Sequence, residues 1–162
     1  LANHAVLIQQ YRSKSDLRRA DFNELTRRLE FSAAPENHLL TDGKLGKWRA
    51  FQIAFLLMSL RSAVEPAADD RETVELIWFP TGGGKTEAYL GLTAFCLFMR
   101  RLTNSEDFGT HVLMRYTLRL LTAQQFQRAC SLICAMEHLR GKNAGKLGSG
   151  EFSIALWLGN QV

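Results

Sequence analysis

The chain has 162 residues, 46% of them apolar and 22% charged, with a net charge of +4. That is the length of one globular domain with a real core. The longest apolar stretches, such as Ile53 to Leu60, are too short to cross a membrane, and the mild positive charge permits an anionic partner without demanding one.

Three cysteines cannot all pair, which suits a reducing cytosol better than a disulfide scaffold. The expected location is cytoplasmic, with no membrane contact. No basic start runs into an apolar block, as a signal peptide would require. The chain also lacks an initial Met, as a fragment or a processed product would. Cys130, Cys134 and His138 fall at four-residue spacing on one expected helix. A single straight helix cannot wrap a tetrahedral ion, and no CxxC partner exists elsewhere, so these read as small core thiols rather than a zinc site.

In chain order, Ala5 to Tyr11 is a short helix candidate. Asp16 to Leu29 is a longer one, with Leu17, Phe22, Leu25 and Leu29 spaced for one face and Ser15 placed as its cap. Residues 31–46 hold Pro35, Asn37, Asp42, Gly43 and Gly46 and read as loop. Lys47 to Val64 is a strongly apolar helix, and Glu65 to Thr73 an exposed connection.

The period then changes. Val74 to Phe79 is a short apolar run of the kind that forms a buried parallel strand. A helix is expected over Thr86 to Leu102, a polar turn over Thr103 to Gly109, and a second strand over His111 to Tyr116. A long helix from about Leu118 to Arg140 leads into the glycine-rich Gly141 to Gly150, and Phe152 to Leu158 is a third strand candidate. Strand, helix, strand, helix, strand predicts right-handed crossovers and a parallel α/β sheet. Ligands of such sheets sit beyond the carboxyl ends of the strands.

One of those ends carries WFPTGGGKTEAYLGL, Trp78 to Leu92. Glycines let a loop fold so that successive N–H groups point at an anion, and a helix N-terminus adds partial positive charge. Gly82, Gly83 and Gly84 would form the cradle. Lys85 would reach the β- and γ-phosphates of ATP, and the Thr86 hydroxyl would bind Mg2+. The strict pattern G-x-x-x-x-G-K-[ST] fails by one residue, because position 79 is Phe79. The shorter form, G-x-G-K-[ST] between strand and helix, is met in full.

PTGGGKT without its leading glycine resembles motif I of the superfamily 2 helicases. Two more segments carry the resemblance. In WRAFQIAFLLMSL, Trp48 to Leu60, Arg49 and Gln52 match the R-x-x-Q element of the upstream Q-type motif; a glutamine amide can pair with N6–H and N7 of adenine. In VLMRYTLRLLTAQQFQRA, Val112 to Ala129, a strand end is followed by Thr117, Arg119 and Gln124, as in motif Ia, although Leu118 intrudes between threonine and arginine. The loop, RYTLRLLTAQQFQR and FSIALWLG together are similar to the large helicases of the DISARM bacterial phage-defence system, the DrmA type.

The resemblance implies a partial RecA-like ATP-binding lobe over residues 47–162 behind a helical flank over residues 1–46. It implies ATP and Mg2+ as cofactors, with Lys85 and Thr86 catalytic and Thr86 on the metal. Arg49, Gln52, Thr81, Gly82, Gly83, Gly84 and Glu87 would complete the nucleotide site. Arg115, Thr117, Arg119 and Gln124, with Arg128 behind them, would hold nucleic acid through its phosphates. The expected partner is DNA, single-stranded or with a single-stranded end, and subunits of a defence complex are possible companions. No apolar run ends in Asp-Glu, so the D-E-x-x box of a hydrolytic site is missing. Asp69, Asp70 and Glu72 precede the loop in a polar stretch, and Glu106 and Asp107 fall in a turn. The piece reads as the front half of a motor lobe that binds ATP weakly by itself. A nucleotide switch, a small-molecule kinase, or a scaffold subunit that uses ATP only for assembly stays open.

Overall fold

The computed structural model describes residues 1–13, 19–32, 47–78, 80, 82–116 and 119–157, with 119–121 as backbone only. Helix α1 spans Ala2–Arg12 and turns Ala5, Val6, Ile8 and Gln9 inward. Its end is closed by Ser13, whose N–H and hydroxyl both donate to the Gln9 carbonyl at 3.0 and 2.7 Å. Helix α2, Ala50–Val64, ends just before Pro66, which cannot sit comfortably behind a helical residue. Helix α3 is Lys85–Thr103 and helix α4 is Arg119–Lys142, with a short α5 at Ala144–Leu147.

The core is helix on helix. Leu90, Ala94 and Phe98 of α3 meet Leu132, Met136 and Leu139 of α4, and Ala5, Val6 and Ile8 of α1 close the cluster. Thus α1 packs against both α3 and α4. The indole edge of Trp48 meets α3 at Gly91, where an added Cβ would come within 2.6 Å of Cη2. A glycine inside a helix is unfavourable by about 1 kcal/mol; here it admits the tryptophan. Among the described residues no helix is long and apolar enough to cross a membrane, and no three metal-ligating side chains cluster.

The expected parallel α/β sheet does not form. The chain is mostly helical, and among the described residues the one sheet is a two-stranded antiparallel hairpin, β1 (Ala20–Asn23) with β2 (Arg28–Phe31). Among the described residues the three strand candidates, Val74 to Phe79, His111 to Tyr116 and Phe152 to Leu158, carry no regular secondary structure over 74–78, 111–116 and 152–157, and none enters a ladder. Their apolar residues signalled burial; instead Val74, Leu76, Trp78, Leu113 and Trp157 are more than four-fifths exposed. Short apolar runs of this kind suit a strand. A sheet needs in addition a neighbour that takes the N–H and C=O groups, and the helices have taken the core.

The helix expected over Asp16 to Leu29 is also replaced, over its described part, by the hairpin. Ser15 and residues 16–18 lie outside the described residues. Phe22 and Leu29, spaced for a helix face, are equally a cross-strand pair. The choice falls to Asn23. Its Oδ1 accepts the N–H groups of Leu25 and Thr26 at 3.0 and 3.1 Å, and its Nδ2 donates to Glu30. Such a side-chain turn competes directly with helical bonding, and Arg27 completes the reversal at φ 57°.

Two arginines fold the C-terminal segment onto the helices. Arg101, only 4% exposed, lies over the rings of Phe108 and Phe152 at 4.3 and 5.1 Å. It donates to the carbonyls of Ser105 and Glu151 at 3.2 Å, with Leu147 at the outer limit of 3.5 Å. Arg140 donates to Glu137 and to the Gly148 carbonyl, while Glu137 accepts the Phe152 N–H at 3.0 Å. The Arg140 hydrogen bond holds the Glu137 carboxyl below its usual range. Replacing Arg101 by Leu leaves carbonyls without donors, each a desolvation penalty. The expected loss is about 2–4 kcal/mol, read as a lower denaturant midpoint. Arg101→Lys should recover little, because an ammonium cannot span two carbonyls and two rings.

Candidate functional site

The glycine loop is a compact turn at the head of α3. The Gly83 N–H returns to the Pro80 carbonyl at 3.2 Å, and Gly82 has φ +80°. Gly84 caps α3 in the left-handed region at φ 91°, ψ 27°. L side chains avoid this conformation. At Gly84 space forbids one too, since an added Cβ would sit 2.8 Å from Gln52 Nε2. Gly82 is exposed, with nothing near its missing Cβ.

Helix α2 grips the loop from behind. Gln52, 4% exposed, donates from Nε2 to the Gly84 carbonyl at 2.7 Å and accepts the Arg49 N–H on Oε1 at 2.8 Å. The second bond is half of a capping box at the start of α2. Arg49 reaches past it, its Nη1 donating to the Gly83 carbonyl at 2.9 Å. Both carbonyls are therefore held on one side. Both polar atoms of the Gln52 amide have backbone partners, so an adenine would have to share or replace them.

Lys85 Nζ donates to the Pro80 carbonyl at 3.2 Å, across the turn. Thr86 is half-buried in the first turn of α3, where the helix leaves its opening N–H groups without intrahelical acceptors. Glu87 Oε1 accepts from the Arg128 guanidinium of α4. Phe55 of α2 meets Tyr89 of α3 edge to face at 5.8 Å. Burial raises the Tyr116 hydroxyl above its ordinary pKa; Arg128 opposes the rise and Tyr89 adds to it.

The structure thus brings Arg49, Gln52, Gly82, Gly83, Gly84, Lys85, Thr86 and Glu87 into one neighbourhood. Thr81 and Phe79 lie outside the described residues, as does Thr117. Arg115 and Gln124 are exposed, and Arg119 opens α4, its side chain outside the description. Arg128 points at Glu87 and not outward. A cavity of about 920 Å³ lies elsewhere, between α3, α4 and the segments 111–116 and 151–157, with Leu97, Phe126 and Ile154 in its wall. The phosphate loop is no part of that wall. Sequence reading missed the Glu87–Arg128 pair and the Trp48–Gly91 contact; a glycine in a helix interior was the signal available for the latter.

Chemically, the arrangement offers an exposed turn with two left-handed glycines, an ammonium group, a hydroxyl and a helix N-terminus. This donor set suits a multiply charged anion. Comparison with known proteins bears on whose loop it is. The chain is similar to the DISARM protein DrmA. The match to DrmA of Bacillus paralicheniformis is 50% identical over 122 residues, 72% of this chain. A stretch of that coverage necessarily includes Arg49, Gln52 and the whole loop, wherever it begins. The chain spans 11% of the length of that DrmA. No family model matches the chain, and no solved structure does.

Gly84→Ala tests the loop geometry. Strain at φ 91° and the contact with Gln52 should destabilise the head of α3 by about 1–2 kcal/mol. Amide exchange in its first turns should accelerate while exchange in α4 stays as it was; unchanged exchange at α3 would show that the turn tolerates a side chain.

Proposed function

We propose that this chain is the ATP-binding segment of an ATP-dependent DNA helicase or translocase acting in a DISARM bacterial defence system. The observation that carries the reading is the glycine turn: left-handed at Gly82 and Gly84, open to solvent, and continuous with the N-terminus of α3 behind Lys85. Similarity to the DISARM protein DrmA supports the defence role and the companionship of other subunits.

In this reading the loop amides and Lys85 hold the β- and γ-phosphates, and Thr86 offers its hydroxyl to Mg2+. The metal, when bound, neutralises the charge on those oxygens. Arg49 and Gln52 hold the Gly83 and Gly84 carbonyls and the Gly83 N–H stays on Pro80, which leaves the N–H groups at the head of α3 for the nucleotide. Hydrolysis adds water to the γ-phosphorus, breaks its bond to the β–γ bridging oxygen, and releases ADP and phosphate. Arg115, Thr117, Arg119 and Gln124 hold the strand through backbone phosphates, with little base preference and strong salt dependence.

In the full-length protein, Lys85→Ala should lower DNA-stimulated ATP turnover by about 100-fold or more; retained turnover removes the loop from the reaction. Tight nucleotide binding without stimulated turnover in the wild type would mark a nucleotide switch instead. Arg119→Ala should weaken single-strand binding and reduce the salt slope by about one, with nucleotide affinity spared. An unchanged affinity at every salt concentration would take Arg119 off the DNA surface.

A further inference from the structure

Glu87 stands two residues past Lys85, and its carboxylate meets Arg128 in the third turn of α4. The two side chains are 20% and 34% exposed. A fully solvated pair would add little, but a half-buried one is poorly screened. The core does not need it, because α3 and α4 already meet through Leu90, Leu132 and Met136. Nor does Glu87 need a cation to sit where it does, since a helix N-terminus favours a carboxylate unaided. A polyphosphate in the loop changes that balance: it would bring negative charge close to Glu87, and Arg128 then becomes the neutralising group.

Arg128 is also tied to the other face. Gln124, exposed, precedes it by one turn on the same side of α4. The N-terminus of α4, at Arg119, lies about 14 Å further along the helix. Tyr116, directly after the exposed Arg115, sits in the charge environment of Arg128. A shift of α4 under a bound strand would reach the first turn of α3 through the Arg128–Glu87 pair.

We infer that Glu87 and Arg128 are a positioning pair that couples strand occupancy of α4 to the phosphate loop; the inference rests on the functional reading above. Coupling of this kind is reciprocal: the strand changes nucleotide affinity by the same factor as nucleotide changes strand affinity.

The test measures the Kd of a non-hydrolysable ATP analogue on the full-length protein, with and without saturating oligodeoxythymidine. Wild type should show a coupling factor of about 5-fold or more. Glu87→Gln and Arg128→Gln should each bring the factor close to one, the double variant should go no further, and Arg128→Lys should recover part of it. In Glu87→Gln, nucleotide-free strand affinity should stay within about threefold of wild type, a smaller change than the coupling factor itself. Coupling retained in both single variants overturns the pair. So does a large loss of nucleotide-free strand affinity in Arg128→Gln with coupling intact, which would make Arg128 a strand contact. A wild type that hydrolyses ATP through Lys85 without coupling overturns the pair and leaves the functional reading standing. A wild type that binds no ATP overturns both.

Discussion

The loop keeps its shape because α2 holds it by two carbonyls. A glycine-rich segment has more backbone freedom to lose on ordering than any other, and Gly82 to Gly84 must be fixed for the turn to keep one shape. Gln52 and Arg49 restrict them by taking the Gly84 and Gly83 carbonyls. Gln52 is in turn fixed by its bond to the Arg49 N–H, and α2 by Phe55 on Tyr89 and by Ser59, whose hydroxyl donates to Glu75 at 2.9 Å. The order of the site thus originates in a neighbouring helix and not in the loop itself.

The same logic governs the other end of the molecule. Arg101 and Arg140 bond to backbone carbonyls of the connections after α3 and α4, so segments with no ladder of their own are held by side chains. A sheet satisfies its backbone strand against strand. Here those bonds to Arg101 and Arg140 are local. Large apolar residues such as Trp78, Leu113 and Trp157 stand in solvent. Exposed apolar surface on this scale is unusual for an isolated domain.

Helices were legible in the sequence where a long apolar period coincided with a clear stop. The α2, α3 and α4 boundaries lie within a few residues of their expected ends, with Pro66 and Asn104 marking two of them. The loop was legible because glycine, lysine and threonine in that order permit few other structures. The sheet was misread for a physical reason. The apolar run Val74 to Phe79 and the alternation in His111 to Tyr116 suit a strand, while pairing depends on a partner that local sequence does not contain. The hairpin was misread because Phe22 and Leu29 suit two periods, and one asparagine, Asn23, chose between them. The site's long-range contacts were partly visible: R-x-x-Q flagged Arg49 and Gln52, but toward adenine and not toward the loop carbonyls they hold. Glu87 and Arg128 lie far apart in sequence, and nothing local announces their meeting.

Lys85 shows how the resting loop can favour its proposed ligand. Its ammonium group donates to the Pro80 carbonyl, a neutral acceptor within the turn. A phosphate oxygen carries charge, and hydrogen bonds between ionised partners are roughly twice as strong as neutral ones. In the proposed reading a phosphate oxygen would offer the ammonium a charged acceptor, and the Pro80 carbonyl would keep the Gly83 N–H as a donor at 3.2 Å. The glycine turn need not unfold to make the exchange, because its φ angles are set by α2 and by Gly84 in the left-handed region. In the proposed reading the entropy of ordering Gly82 to Gly84 is lost on folding, and a bound nucleotide would redirect the Lys85 side chain.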